Sequence, residues 1–139
     1  MPAGYLLDTN VISETRKLRA DAGVMAFLAA ADSAGLFLSV LTLGELRKCA
    51  EAKRRSDLAT AARLGAWVDD TETTFDDRVL PLDSAVARLW GELSARQVLP
   101  VIDTLIAATA ITRGFILVTR NTRDVSATGV PLVDPWQGG

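Results

Sequence analysis

Short runs of apolar residues, each cut off by a polar stop and separated by stretches with helical spacing, constrain this chain more than any other feature. Tyr5-Leu6-Leu7 stops at Asp8-Thr9-Asn10, the pattern of a buried strand passing into a helix start. Leu36-Phe37-Leu38-Ser39-Val40 reads as a second buried strand, with Thr42 capping a helix that runs through Lys53. Val79-Leu80-Pro81-Leu82 reads as a third, near a sheet edge because proline has no N–H to give a ladder. Ile116-Leu117-Val118 supplies a fourth and Val130-Pro131-Leu132-Val133 a short fifth. Helices are expected over 22–31, 58–68, from the Asp83-Ser84 cap to about Ala95, and over 102–112, the last apolar nearly all round and so buried against a sheet. Strands alternating with helices require right-handed crossovers, which gives an α/β fold with a mainly parallel sheet covered on both faces.

The 139 residues match one ordinary domain, expected to span 1–139 and able to bury a core without disulfides. Cys49 is the lone cysteine, which suits a reducing cytosol, and its position inside a helix suggests an inert packed thiol. The first residues lack a basic region followed by an apolar core, and no apolar run approaches bilayer length, so a cytoplasmic protein without a membrane anchor is expected. A formal charge of −2 gives no global pull toward nucleic acid, so any such binding rests on local charge. The absence of histidine is decisive for chemistry. It excludes a Ser-His-Asp triad, a Cys-His pair, a histidine acid–base pair and a His/Cys zinc site. What remains is carboxylates, Lys, hydroxyls or a hard metal ion.

In open parallel sheets ligands bind beyond the carboxyl ends of the strands. Asp8 follows the first strand, and Asn121 and Asp124 follow the fourth. Asp103 opens the buried helix after Pro100, and Glu45 lies one turn into the helix after the second strand, where its side chain reaches back over the same edge. Singly, each has a structural reading: Asp8 or Asn10 and Asp103 as helix caps, Glu45 as a partner of Lys48, Asp124 as a surface residue. Together they conflict with that reading, because Glu45 and Asp103 sit among apolar neighbours and gathered carboxylates repel one another unless a cation compensates. An all-oxygen ligand set selects Mg²⁺ or Mn²⁺, and a carboxylate-held ion activates water for phosphodiester hydrolysis without a protein base.

Four stretches carry a family resemblance: Leu6-Leu7-Asp8-Thr9-Asn10-Val11-Ile12-Ser13, Leu43-Gly44-Glu45-Leu46, Ile102-Asp103-Thr104-Leu105-Ile106-Ala107-Ala108-Thr109-Ala110, and Val118-Thr119-Arg120-Asn121-Thr122-Arg123-Asp124. In order and spacing the chain resembles PIN-domain ribonucleases, nearest to the VapC and FitB-like toxins of type II toxin–antitoxin pairs. The likeness runs nearly end to end, including the closing segment from Gly129 to Trp136. It implies a PIN-like three-layer α/β/α sandwich and a Mg²⁺- or Mn²⁺-dependent ribonuclease acting on RNA. Asp8, Glu45 and Asp103 are its metal-binding acids, with Thr9, Asn10 and Thr119 in support. Where many relatives carry an Asp after the Thr-x pair, this chain has Asn121, with Asp124 nearby, so the fourth position is open between them and Asp124 is the stronger acid candidate. The resemblance also implies a homodimer and a cognate antitoxin whose tail blocks the site.

Arg16, Lys17, Arg120 and Arg123 flank the expected site and are the candidates for holding the RNA backbone. Lys53-Arg54-Arg55, with Arg47 and Lys48, forms a basic helical tip that is either a phosphate grip or a solvated hairpin end. Trp67, Trp90 and Trp136 are read as packing residues. Two other functions fit the same pattern: a receiver-type phosphoacceptor domain, with Asp83 after the third strand, and a non-catalytic RNA- or protein-binding module.

Overall fold

A computed structural model describes residues 4–137. Strands β1 (Tyr5–Leu7), β2 (Leu36–Ser39), β3 (Val79–Leu80), β4 (Ile116–Val118) and β5 (Leu132–Val133) form one sheet in the order β3-β2-β1-β4-β5, with every pairing parallel. The helices are α1 (Thr9–Thr15), α2 (Ala22–Ala30), α3 (Val40–Ala52), α4 (Leu58–Phe75), α5 (Ser84–Arg96), α6 (Val101–Arg113) and the short α7 (Thr122–Val125). After β3 at one edge the chain crosses to the far side of β1 to lay down β4. The strand order therefore reverses between β1 and β4, and their carboxyl ends flank the switch point where open α/β sheets bind ligands.

Because successive strand residues face opposite sides, Leu6 and Leu117 enter one core with Ile106, Ala107 and Ala110 of α6, while Leu7 and Val118 enter the other with Val11, Val24, Leu46 and Val68. This is the three-layer α/β/α arrangement expected. Alanines 107, 108 and 110 of α6 are fully buried, and their small side chains let the helix axis come close to the sheet. Among the described residues, no helix is long and apolar enough to cross a membrane.

Several boundaries differ from the sequence reading for identifiable reasons. Ser39, not Thr42, caps α3: its hydroxyl accepts from Leu41 N at 3.0 Å, and the helix begins at Val40 with no loop after β2. Helix α4 runs on to Phe75, because Val68, Thr71 and Phe75 continue its core-facing row although Asp69-Asp70-Thr71-Glu72-Thr73-Thr74 is poor in helix formers. Strand β3 keeps only Val79 and Leu80, consistent with Pro81 beyond them and an edge position. Cys49 is exposed on α3 rather than packed, since its neighbours Leu46 and Ala50 take the buried face.

The closing segment is held against α2. A Cβ at Gly23 would stand 2.3 Å from the carbonyl oxygen of Pro135, a backbone atom that cannot swing aside. Gly91, exposed on α5, meets nothing within 4 Å. Gly23→Ala is therefore expected to lower stability by about 1–3 kcal/mol through overpacking, and Gly91→Ala to raise it by about 0.5–1 kcal/mol through helix propensity, both read from urea unfolding midpoints. Equal effects of the two substitutions would contradict the close approach.

Candidate functional site

Asp8 stands at the switch point and belongs to three elements at once. Its N–H donates to Val118 O at 2.9 Å, continuing the β1–β4 pairing one residue past the strand. One carboxylate oxygen, Oδ1, accepts from Thr9 N at 2.8 Å and caps α1. The other, Oδ2, accepts from the Thr119 hydroxyl at 2.7 Å and from Asn10 Nδ2 at 3.4 Å. Asp8 is 3% exposed and Thr119 fully buried. The cap reading of Asp8 is thus correct for one oxygen and says nothing of the second.

Thr119 anchors the β4 side. Its N–H donates to Val133 O at 3.0 Å, and its hydroxyl oxygen accepts from Asn121 N at 2.9 Å and Asn10 Nδ2 at 3.3 Å. Asn10 in turn accepts from Arg120 N through Oδ1 at 3.3 Å. The predicted supporting residues Asn10 and Thr119 therefore form one network with Asp8.

Glu45 arrives from α3 and Asp103 from α6. Helical side chains lean toward their N-terminus, which carries the Glu45 carboxylate back over the strand ends. There Glu45 Oε1 accepts from the Thr9 hydroxyl at 2.5 Å, and Thr9 Oγ1 lies 3.1 Å from Thr42 Oγ1. No bridge joins Glu45 to Lys48 among the described residues. Asp103 lies in the first turn of α6 but makes no cap hydrogen bond, so the capping reading does not account for it.

The electrostatics tie these acids together. The Asp103 carboxyl is pushed up to about 6, first by burial, then by the charges of Asp8, Asp124 and Glu45. Asp8 is also held above its ordinary value, chiefly by burial, with Glu45 adding to the rise and hydrogen bonds from Thr119, Thr9 N and Asn10 opposing it. Asp124, exposed in the first turn of α7, is close enough for its charge to act on Asp103, whereas Asn121 is bound to this network through its backbone N–H. As they stand, no three acidic side chains among the described residues are close enough together to grip an ion. The donor set is nevertheless all oxygen, from separate helices and strand ends, which is the ligand type a hard divalent cation takes.

The basic candidates are less concentrated. Arg16 lies 5.1 Å over the Trp67 ring, and Lys17 pairs with the buried Glu14 at 2.9 Å. Arg120 lies 5.2 Å over the Trp136 ring, and Arg123 is exposed on α7. At the hairpin tip Arg47 pairs with Asp69 and donates to Gly65 O, and Arg54 pairs with Glu51 at 3.6 Å, so part of that charge is already committed. These residues line a cleft between α3 and α4 of about 490 Å³ that contains none of the four acids. A second groove, of about 600 Å³, is lined by Glu45 and Thr9 with Val40, Leu41, Lys48 and Ile102, and opens beside the acids. Asp83 caps α5 through Val86 N at 3.0 Å and lies 3.8 Å from Arg113, which gives the presumed phosphoacceptor a structural role. The residue sequence reasoning missed is Thr42, fully buried and in contact with Thr9; its place three residues before Glu45, on the same face of one helix, was the available signal.

Comparison with known proteins agrees with this fold. The PIN domain family matches residues 5–129. The chain is 34% identical to VapC ribonuclease Y4jK of Sinorhizobium fredii, over 95% of this chain and 97% of that protein. Among solved structures it superposes on FitAcB from Neisseria gonorrhoeae with a TM-score of 0.86 at 28% identity, covering 95% of this chain and 98% of the other. It superposes on a toxin–antitoxin complex from Klebsiella pneumoniae with a TM-score of 0.68 at 26% identity, covering 95% and 98%. With the fold and these likenesses in agreement, the chain belongs to the PIN domain family.

Proposed function

We propose that this chain is an endoribonuclease dependent on Mg²⁺ or Mn²⁺, the toxin of a toxin–antitoxin pair. The observation that carries this reading is that Asp103, on the helix leading into β4, is raised in proton affinity by burial and by the charges of Asp8, Asp124 and Glu45. Negative charge gathered within that range is unfavourable at neutral pH unless a cation relieves it. Asp8, Glu45 and Asp103 would hold that cation, with Asp124 in the fourth place and Asn121 as the alternative occupant. When bound, the cation lowers the pKa of a water and neutralises charge on a phosphodiester, chemistry that needs no histidine. Thr119, Asn10 and the Thr9 amide fix the orientation of Asp8. Arg120 and Arg123, with Arg16 and Lys17 further out, supply positive charge for the RNA backbone.

The relatives' names support RNA as the substrate and an antitoxin protein as the partner. A homodimer and a cytosolic location complete the proposal, the latter in keeping with a single exposed thiol. Incubation of the protein with structured RNA and Mn²⁺ is expected to give cleavage that disappears with EDTA and in Asp8→Asn. RNA retention without cleavage would instead support a binding module.

Three outcomes follow from the charge pattern. Glu45→Gln and Asp103→Asn should each weaken Mn²⁺ binding by more than the roughly 10- to 100-fold typical of outer-shell changes, as measured by calorimetry. Asp124→Asn should weaken it more than Asn121→Ala; the reverse order gives the fourth place to Asn121. The third concerns pH. A carboxyl whose folded-state pKa is raised takes up more protons folded than unfolded, so its contribution to stability is largest at low pH and declines as pH rises from its unfolded value toward about 6. The cation-free protein should therefore melt at a lower temperature near pH 7 than near pH 5, and Mn²⁺ should restore stability at pH 7. A cation-free melting temperature that does not fall over this range, with no response to Mn²⁺, would refute the assignment.

A further inference from the structure

Among the described residues Glu45 receives one hydrogen bond, from the Thr9 hydroxyl at 2.5 Å, and that hydroxyl is itself in contact with Thr42. A carboxylate only accepts, and a threonine hydroxyl carries a single hydrogen. With the Thr9 hydrogen committed to Glu45 Oε1, the 3.1 Å contact is made by Thr42 donating to Thr9 Oγ1. The direction is thus fixed from Thr42 through Thr9 to Glu45.

Burial gives this short relay its rigidity. Thr42 is fully buried in the first turn of α3. Threonines 71, 104 and 109 return their hydroxyls to the carbonyl four residues back along their own helices. The Thr42 hydroxyl has no such bond; its partner is Thr9, across the gap to α1. A buried hydroxyl that gives up its local carbonyl for a contact between helices spends its one hydrogen on holding the Thr9 oxygen in place. Thr9 is only half-buried and, alone, would be free to rotate its hydroxyl away from Glu45.

We propose that Thr42 is a positioning residue for Glu45, acting through Thr9 to hold the carboxylate over the strand ends. This rests on reading Glu45 as a cation ligand. It assigns to α3 a built-in orienter for its own acid, as Thr119 and Asn10 orient Asp8 from β4 and α1.

The test is a substitution series read by Mn²⁺ calorimetry beside RNA cleavage. Thr42→Val keeps the volume and removes the hydroxyl; it should weaken Mn²⁺ binding about 10-fold, with Thr42→Ser restoring affinity to within about 2-fold. In a Thr9→Val background, Thr42→Val should add nothing, because the relay is already cut. Native Mn²⁺ affinity in Thr42→Val, or independent additive losses in the double variant, overturns the relay. If Thr42→Val does not fold, Thr9→Val against Thr9→Ser poses the same question at the half-buried middle: affinity lost with valine and regained with serine supports the relay, and equal affinities overturn it. Glu45→Gln keeps the two failures apart. If it too binds Mn²⁺ like the wild type, the reading of Glu45 as a ligand has failed and the relay loses its purpose; if it loses binding while Thr42→Val does not, only the relay has failed.

Discussion

A single buried carboxylate holds the functional edge of this sheet together. Asp8 is tied by its backbone to β4, caps α1 with one oxygen, and uses the other to receive Thr119 and Asn10. Burying an ionisable group at 3% exposure is costly unless its hydrogen-bonding capacity is met, and here both oxygens are met. The same bonds join β1 and β4 where the strand order reverses, so the demand for satisfied polar groups and the geometry of the switch point are one constraint.

Around that anchor the charge balance runs against the fold. The protein places Asp103 where burial and the charges of Asp8, Asp124 and Glu45 all disfavour its ionised form. Hydrophobic contacts hold it there: α6 is fixed to the sheet by buried alanines and Ile106, whose packing does not depend on what the first turn carries. Apolar burial is thus the term that offsets the repulsion. Strain kept at a ligand-facing edge and balanced by packing elsewhere is a common property of binding sites.

Much of this was legible in the residues, and the exceptions share a cause. The strand-end rule pointed to Asp8, Asn121 and Asp124, because a polar residue just after an apolar run has few other places to be, while Thr119 came only with the family resemblance. Glu45 and Asp103 stood out because both are acids among apolar neighbours. Thr42 was misread as a cap, since Ser, Thr and Asp at a strand–helix junction all carry the same propensity. Which of Ser39 and Thr42 caps α3 depends on where the backbone leaves the strand, and that is set by the pairing of Ser39 with Leu80 on β3, some forty residues on. The two extra turns of α4 and the exposure of Cys49 likewise depend on which helix faces meet a neighbour.

The sequence by itself determined the layered α/β architecture, the families of catalysis open to a chain without histidine, and the candidate acids, because hydrophobic period and residue chemistry are local properties. Only the tertiary structure decided that strand order reverses beside Asp8, that Asp124 comes close enough for its charge to act on Asp103, and that a hydroxyl on α3 lies against one on α1. Those are relations between segments far apart in the chain. Their energies depend on distance and burial, quantities that take a value only once the chain has packed.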